Sequence, residues 1–359
     1  MIYEIYWELT ADGGARILRV CGTTPEVVLP EQIEGIFVTE IGAYCFAAQA
    51  RLPEKYNKTR LETTQAARED NPGSGDSCCA NMEHRANTGH QVNAGHRVNT
   101  GHVELRELSG EYLTRVALPD TVEKLGNFAF YNASALSHLE IGKKLTGIGS
   151  DAFMNCRKLH TLSLRCKRGE KSGLRQILAQ ISHDLEVAFF EENGVWAQVL
   201  FPEYYESYDE IAPAHLFGRN IEGEGFRARQ SFRDGVMDFA QYDLIFPKAC
   251  AEEKEETLCR LALDRLRYPA GLGTESRKLY AGYLTEHAKA LCGMLVKARD
   301  GALAEFLCGE RIFARADLEC CIRYAADDGW AEGGAYFLRL LNQYFPKEDV
   351  SSRYAFEDF

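Results

Sequence analysis

An internal repeat limits this chain to a narrow group of folds. When residues 113–135 are aligned with residues 136–158, nine of the 23 positions carry either the same residue or a second aliphatic residue. A third copy begins at Leu159 and ends after Leu164. The L-x-x-L-x-L spacing at this period indicates a solenoid, because a single turn of this kind cannot bury its own apolar side and must stack on a neighbour.

The apolar positions of one copy follow the course expected for one solenoid turn. Leu113, Val116 and Leu118 point inward from a short strand, and the glycine that follows at position 126 allows the chain to bend. An earlier copy lies at residues 38–46, separated from the later ones by one period plus a long insertion. The turns should therefore share one interior, in which three phenylalanines form a single row: Phe46, Phe130 and Phe153.

The complete copies resemble a known repeat family, the BspA-type bacterial leucine-rich repeats. The family pattern is an L-x-x-L-x-I strand, a Pro-Asp turn and then V-x-x-I-G-x-x-A-F, which resembles LTRVALPDTVEKLGNFAF at residues 113–130. Residues 17–46 are similar to the first repeat of such proteins, in which an N-terminal strand caps the stack. The resemblance covers residues 15–50 and 113–165, and Gly142 stands where the pattern has proline. Many relatives carry signal peptides and lie on the cell surface.

The segment between the copies, residues 51–112, is rich in Asn, Gly, Thr and Arg and has almost no apolar periodicity. This composition predicts a disordered or loosely ordered insertion. Three similar hexapeptides within it contribute to a series of evenly spaced histidines: His84, His90, His96 and His102. With Cys78 and Cys79 these side chains could capture zinc or copper. Structural zinc sites use short paired ligand spacings, however, so a hexapeptide expansion in a surface loop is the favoured interpretation and no metal site is predicted.

Beyond residue 168 the repeat pattern gives way to helical spacing. The spacing predicts helices at 172–183, 252–267 and 275–298, and a β-hairpin at 185–201. Three shorter helical segments follow, and about the last sixty residues are similar to a pair of ankyrin-type helices. The predicted fold class is α/β (α+β): a short leucine-rich repeat solenoid, interrupted by a long insertion and followed by a mostly helical domain with a β-hairpin. The predicted domains are residues 1–50 (cap and first repeat), 51–112 (insertion), 113–168 (repeats) and 169–359 (C-terminal mainly helical domain).

Charge and composition narrow the classes of partner. A net charge of −12 and a pI near 5.4 oppose the binding of nucleic acid or anionic lipid through the overall electrostatic field. These values do not exclude a local basic patch. No stretch approaches the roughly 18 apolar residues of a membrane helix. The opening MIYEIYWELTADGG carries acids where a signal peptide carries Lys or Arg, and twelve cysteines lack any C-x-x-C spacing. The chain is therefore predicted to be cytoplasmic, with no nucleic acid or membrane as partner.

The motifs of common enzymes and cofactor sites are missing from the sequence. A G-x-S-x-G nucleophile, an H-E-x-x-H zinc site, a P-loop and a Rossmann fingerprint do not occur, which predicts a protein without enzymatic activity or cofactor. The alternative is a cryptic nucleotide- or phosphate-binding or catalytic site within residues 203–270. A flexible linker with solvated arginines is the simpler interpretation of that segment. The residues that would form the alternative site are Gly223, Gly225, Arg227, Arg229, Arg233 and Asp234.

The outward side of the repeat strands is the predicted binding surface. Residues between the inward leucines alternate to the solvent side, so equivalent positions of successive turns should form polar columns. Such a ladder is how repeat proteins present an extended face to a protein partner, which predicts an interaction scaffold or adaptor with an unidentified protein partner. Three strands alone would make a small face. The candidate partner-binding residues are Thr114, Arg115, Ser137, His138, Glu140, His160, Thr161 and Ser163.

Overall fold

The computed structural model of the chain divides into two compact units. It describes residues 1–48, 51–62, 105–211 and 216–346. The first unit is Met1–Lys248 and the second is Ala249–Phe359. The predicted boundary at residue 168 differs from this division, because residues 169–248 group with the repeats.

The first unit is built mainly from short strands. In chain order they are β1 (Ile2–Leu9), β2 (Ala15–Gly22), β3 (Glu26–Val28), β4 (Gln32–Ile33), β5 (Ile36–Ile41), β6 (Asn57–Glu62), β7 (Arg106–Glu107), β8 (Arg115–Ala117), β9 (Lys124–Leu125), β10 (His138–Gly142), β11 (Gly147–Ile148), β12 (Thr161–Arg165), β13 (Leu185–Glu191), β14 (Gly194–Phe201), β15 (Tyr205–Ile211), β16 (Leu216–Glu222), β17 (Phe232–Arg233) and β18 (Val236–Met237). The short helices α1 (Leu174–Leu178), α2 (Gly225–Ala228) and α3 (Phe239–Asp243) lie among them, and α4 (Phe246–Glu252) spans the division between the units.

Two sheets form the opposite walls of the solenoid. Sheet I has the order β11-β9-β5-β2-β1-β6, with β4 paired to β5 and β7 paired to β2. Sheet II has the order β14-β13-β12-β10-β8-β3, and every neighbouring pair in it is parallel except β13 with β14. The strands of sheet II lie in register at the repeat period, so that Val116 pairs with Leu139 and Leu139 with Leu162. All three side chains are fully buried, so the residues that repeat in the sequence form a repeating row in the core.

The row of phenylalanines expected from the repeat is present. The ring centroids of Phe46 and Phe130 lie 4.9 Å apart, those of Phe130 and Phe153 lie 5.5 Å apart, and both pairs are within 8° of parallel. The interior is continuous across the insertion, since Phe46 precedes the insertion and Phe130 follows it. The prediction of a single stacked solenoid is confirmed.

The repeated glycines are required because successive turns approach each other closely. A Cβ atom added to Gly126 would lie 2.6 Å from the carbonyl carbon of Gly42, and one added to Gly149 would lie 2.5 Å from the main-chain nitrogen of Asn127. These distances are shorter than side-chain carbons tolerate, and the obstructing atoms are backbone. Glycine at this position therefore sets the spacing of the stack.

The insertion is shorter than its composition predicted. Strand β6 pairs antiparallel with β1, and β7 pairs antiparallel with β2, so the predicted range 51–112 is wrong at both ends. The polar sequence of β6 has no apolar periodicity, but its backbone pairs with β1 and its Thr59 hydroxyl accepts a hydrogen bond from Trp7 Nε1 at 2.9 Å. Edge strands can be polar because one side of them faces solvent. The predicted histidine series, with Cys78 and Cys79, lies outside the described residues.

A short helix and a hairpin follow the repeats. The predicted hairpin is confirmed as β13 and β14, and β13 continues sheet II by pairing in parallel with β12. The helix predicted at 172–183 is shorter, Leu174–Leu178, and it lies against the last turn, where the N–H of Gly173 donates to the carbonyl of Leu145 at 3.0 Å. Residues 169–248 belong to the first unit because this pairing extends the solenoid beyond the last repeat.

The described part of the second unit consists of helices. After α4 they are α5 (Glu255–Arg267), α6 (Thr274–Glu286), α7 (Ala288–Ala298), α8 (Gly301–Gly309), α9 (Arg315–Asp327) and α10 (Ala331–Tyr344). The predicted helix at 275–298 is in fact two helices, because the helical backbone is interrupted at His287. The ring of His287 stacks on Tyr283, and its Nδ1 lies 2.6 Å from Glu255 Oε1. None of the helices in the described ranges has the length and apolar content needed to cross a bilayer.

Candidate functional site

The outward side of sheet II, here called the strand face, carries the predicted binding residues. The pairing of β8, β10 and β12 places Arg115, His138 and Thr161 side by side, and it places Glu140 beside Ser163. Thr114, Ser137 and His160 lie immediately before these strands, where the N–H of each later residue donates to the carbonyl of the earlier one. The structure therefore brings all the predicted residues together, either on neighbouring strands or immediately before them.

The strand face is wider than the three repeats predicted. Strand β3 pairs in parallel with β8 on one side, and β13 pairs with β12 on the other, followed by β14. Glu26 and Glu186 extend the column of Arg115 in both directions. With about 4.8 Å between strands, six strands span about 24 Å.

An ion network crosses the strand face around Arg165. Its guanidinium donates to Asp120 Oδ1 at 2.8 Å, to a carboxylate oxygen of Glu140 and to the carbonyl of Leu118. Arg115 lies 3.7 Å from the same Glu140 carboxylate. Because the contacts join three strands, the network holds the charged side chains in fixed positions, which lowers the conformational entropy that a partner would have to remove.

Arg165 was missing from the residues predicted from the sequence. It occupies the position that the family pattern gives to proline, and the equivalents in the preceding turns are Pro119 and Gly142. A Cβ atom added to Gly142 would lie 2.8 Å from the Cα of Asp120, so glycine leaves the room that Asp120 needs beside Arg165. The sequence did carry a signal for this: Gly142 and Arg165 replace the proline of the family pattern at the same position of successive turns.

Hydrogen bonds fix the other polar side chains of the face. Ser163 Oγ lies 3.1 Å from His138 Nε2, and the hydroxyl of Ser137 donates to the carbonyl of Thr114 at 3.1 Å. The small side chain of Ala117, which lies beside Glu140, is only 5% exposed. The alternation of side chains along the strand predicted that this position would face solvent. The strand face is therefore a polar surface with ordered side chains.

A shallow cavity lies at one edge of the strand face. It has a volume of about 390 Å³ and is lined by Arg157, His160, His183, Asp184 and Glu203. His183 is one period beyond His160, and their rings meet edge to face with centroids 5.4 Å apart. His160 Nδ1 lies 3.1 Å from the carbonyl of Asp184, and His183 Nε2 lies 2.8 Å from that of Leu159.

Electrostatics favour a neutral imidazole at His183. Burial is the main cause that lowers the pKa of His183, and the neighbouring His160 and Arg229 lower it further. In the described part of the chain, no group of three or more His, Cys, Asp or Glu side chains is placed to hold a metal ion. The cavity therefore presents hydrogen-bonding groups, with a neutral imidazole favoured at His183.

The alternative phosphate site does not assemble as the sequence suggested. Arg229 is buried, and its guanidinium donates to the carbonyls of Ile181 at 2.9 Å and His183 at 2.7 Å and to further carbonyls in the same region. Arg227 forms an ion pair with Glu224 instead. The favoured interpretation of solvated arginines is wrong for Arg229, which is buried. The alternative of a phosphate at Arg229 is not supported either, because the buried carbonyls around it already use its N–H groups.

The architecture defines the class of protein. Parallel strands in register at the repeat period, with a continuous row of phenylalanines inside, are those of a β-solenoid repeat protein. A family model described as the BspA type leucine-rich repeat region, with six copies, matches residues 107–172. This stretch of the chain is a BspA-type leucine-rich repeat region. Comparison with curated proteins and with solved structures gave no match.

Proposed function

We propose that the protein is a non-catalytic interaction scaffold or adaptor, and that its strand face binds a protein partner. The observation that supports this most directly is the ordered polar surface across the repeat strands β8, β10 and β12 of sheet II. Side chains such as Arg165 and Glu140 are already held by neighbours, so a partner would meet a surface that needs little reordering. A cytoplasmic location belongs to the same proposal.

The size of the strand face sets the strength of the expected complex. A five-residue strand spans about 16 Å, so the face covers roughly 400 Å². A stable interface buries about 800 Å² on each partner. The strand face alone would therefore support a weak or transient complex, and a tighter one requires contacts from neighbouring loops.

Site-specific photo-crosslinking tests the proposal. A benzoylphenylalanine placed at Thr161 on the strand face is compared with one placed at Met154, which is 46% exposed on the turn that leads to β12. The two positions lie in successive solenoid turns and are close in the sequence, so local folding is closely matched between the two probes. The expected result in native lysate is a discrete crosslinked protein from the Thr161 probe that the Met154 probe does not yield.

Two results would argue against the strand face as a binding surface. One is a Thr161 probe that yields no discrete adduct at any salt concentration. The other is the same set of adducts from Thr161 and Met154, since contact through both sides of the solenoid indicates non-specific collision.

A further inference from the structure

A concentration of positive charge lies on two neighbouring loops of the solenoid. One loop joins β10 to β11, the other joins β12 to α1, and together they form what is here called the basic loop patch. The exposed cations of the patch are Lys143, Lys144, Lys167, Arg168 and Lys171. The two loops belong to successive turns and meet where the N–H of Lys143 donates to the carbonyl of Arg165 at 3.1 Å.

The charge of the patch is opposite to that of the whole protein. Residues 143–144 and 167–171 contain five basic residues and one acid, a net charge of +4, whereas the full chain has −12. The single acid, Glu170, lies 2.5 Å from Lys143 Nζ. Lys144 and Lys171 have no ion pair within the described ranges. Most of the positive charge is therefore available to a partner.

An aromatic side chain orients one of these cations. The guanidinium of Arg168 lies over the ring of Trp196, 5.5 Å from its centroid, and its main-chain N–H donates to Glu191 Oε1 at 3.3 Å. Stacking of this kind holds the plane of the guanidinium while its edge stays free to bind oxygens. Arg168 is therefore set to form a bidentate contact with a carboxylate.

The patch also continues the strand face. Arg165 ends β12, and Lys167 and Arg168 follow it directly at the carboxyl end of the sheet. A polypeptide that crosses the loops would remain in contact with protein over both surfaces, whereas the area of the loops by themselves is small. The charge of the patch does not depend on whether the strand face binds a partner.

We propose that the basic loop patch binds an acidic segment of a polypeptide, with carboxylates paired to Lys167, Arg168 and Lys171. A short acidic segment can be neutralised within the patch. A long nucleic acid would extend beyond it over a chain whose overall field is negative, and a membrane would face the same repulsion. Screening limits the attraction to about 8 Å at physiological salt, so the binding depends on close contacts with these loops.

Binding of a defined probe tests the proposal. Fluorescence anisotropy of a labelled twelve-residue oligoglutamate is measured with the full chain at 50 mM and 300 mM salt. The patch variant K167Q/R168Q/K171Q removes three charges from the exposed loop. A control variant, K289Q/K297Q/R323Q, removes the same number from exposed positions of the helical unit, so the total charge of the two variants is equal.

The expected result is saturable binding that weakens at least tenfold in the patch variant and less than twofold in the control. A further loss of about tenfold is expected between the two salt concentrations. The proposal is overturned if the full chain does not bind the peptide at 50 mM salt, or if both variants bind it equally. It is also overturned if a twelve-residue oligothymidylate binds the patch more tightly than the peptide, because nucleic acid would then be the favoured ligand.

Discussion

The solenoid and the helical unit bury apolar side chains to a similar degree but by different rules. In the solenoid, a position such as Phe130 meets the same residue type in the turns before and after it. In the helical unit, Phe337 is equally buried but contacts Trp330 and Tyr336, which are unrelated neighbours. A change in the stack should therefore be transmitted to adjacent turns through equivalent positions, whereas a change in the helices should be confined to one site.

Removal of the central phenylalanine should produce the largest effect. Phe130→Ala empties the middle of the row and is expected to cost about 4 kcal/mol of unfolding free energy, because the side chain stacks on both neighbours. Phe153→Ala should cost less, because within the observed row Phe153 stacks only on Phe130. Urea unfolding, followed separately for each unit, checks the prediction. Phe337→Ala is the matched variant, and a loss confined to the helical transition is expected from it. Equal losses of unfolding free energy from Phe130→Ala and Phe153→Ala would contradict the expectation that the central ring of the row contributes most.

Substitution of a glycine by alanine should change the free energy of unfolding in opposite directions in the two units. Gly149→Ala places a methyl group against the backbone of the adjacent turn and should destabilise the solenoid by about 2 kcal/mol. Gly282→Ala lies in α6 with open space around it and should stabilise the helical unit by about 1 kcal/mol. Thermal unfolding of the two single variants measures both signs. A stabilised Gly149→Ala would show that the turns can separate without loss.

Local helix caps should behave alike wherever they lie. Asp238 accepts a hydrogen bond from the N–H of Gln241 at 3.0 Å in the solenoid unit, and Asp300 accepts one from Leu303 at 2.9 Å in the helical unit. Replacement of either by alanine should cost about 1 kcal/mol. Chemical unfolding of Asp238→Ala and Asp300→Ala tests this equality. A cost several times larger at Asp238 would show that even local contacts are coupled to the stack.

Acid should weaken the solenoid to a small extent through His183. Its pKa in the folded chain is lowered, mainly by burial, so the unfolded chain takes up a proton first as the pH falls. The contribution of neutral His183 to stability is therefore fully present above pH 6.5, the ordinary pKa of histidine. It is lost as the pH falls from 6.5 through the lowered pKa of the folded chain. The urea midpoint at pH 7.5 and at pH 5.5 measures the loss. His183→Gln, whose amide can still donate to Leu159, should show a smaller decrease between these pH values; an unchanged decrease would assign the effect to other groups.

Prediction from sequence succeeded where a contact repeats along the chain. The spacing of Leu113, Val116 and Leu118 recurs one period later, so that stacking, register and the row of phenylalanines could be inferred without coordinates. The hairpin of β13 and β14 was also predicted, because alternating apolar residues flank a short turn. Helices α8 to α10 agree with the predicted segments for the same reason, since their apolar faces have a local period.

Prediction failed where a residue depends on a partner that no local pattern records. Strand β6 is polar and was assigned to the insertion, yet its backbone completes the edge of sheet I. Arg229 suggested a phosphate ligand, yet it donates to buried carbonyls. The site was predicted in part: the columns of Arg115 and Glu140 were expected, but the network around Arg165 was not.

The solenoid, its period and the outward side of its strands follow from the amino-acid sequence alone, because they depend on the spacing of apolar residues along the chain. Three features required the folded chain: the six strands of sheet II, the link that Arg165 makes between Asp120 and Glu140, and the union of two separate loops in one basic patch. These contacts join residues distant in the sequence, and their energies depend on distances that are set only when the turns have stacked.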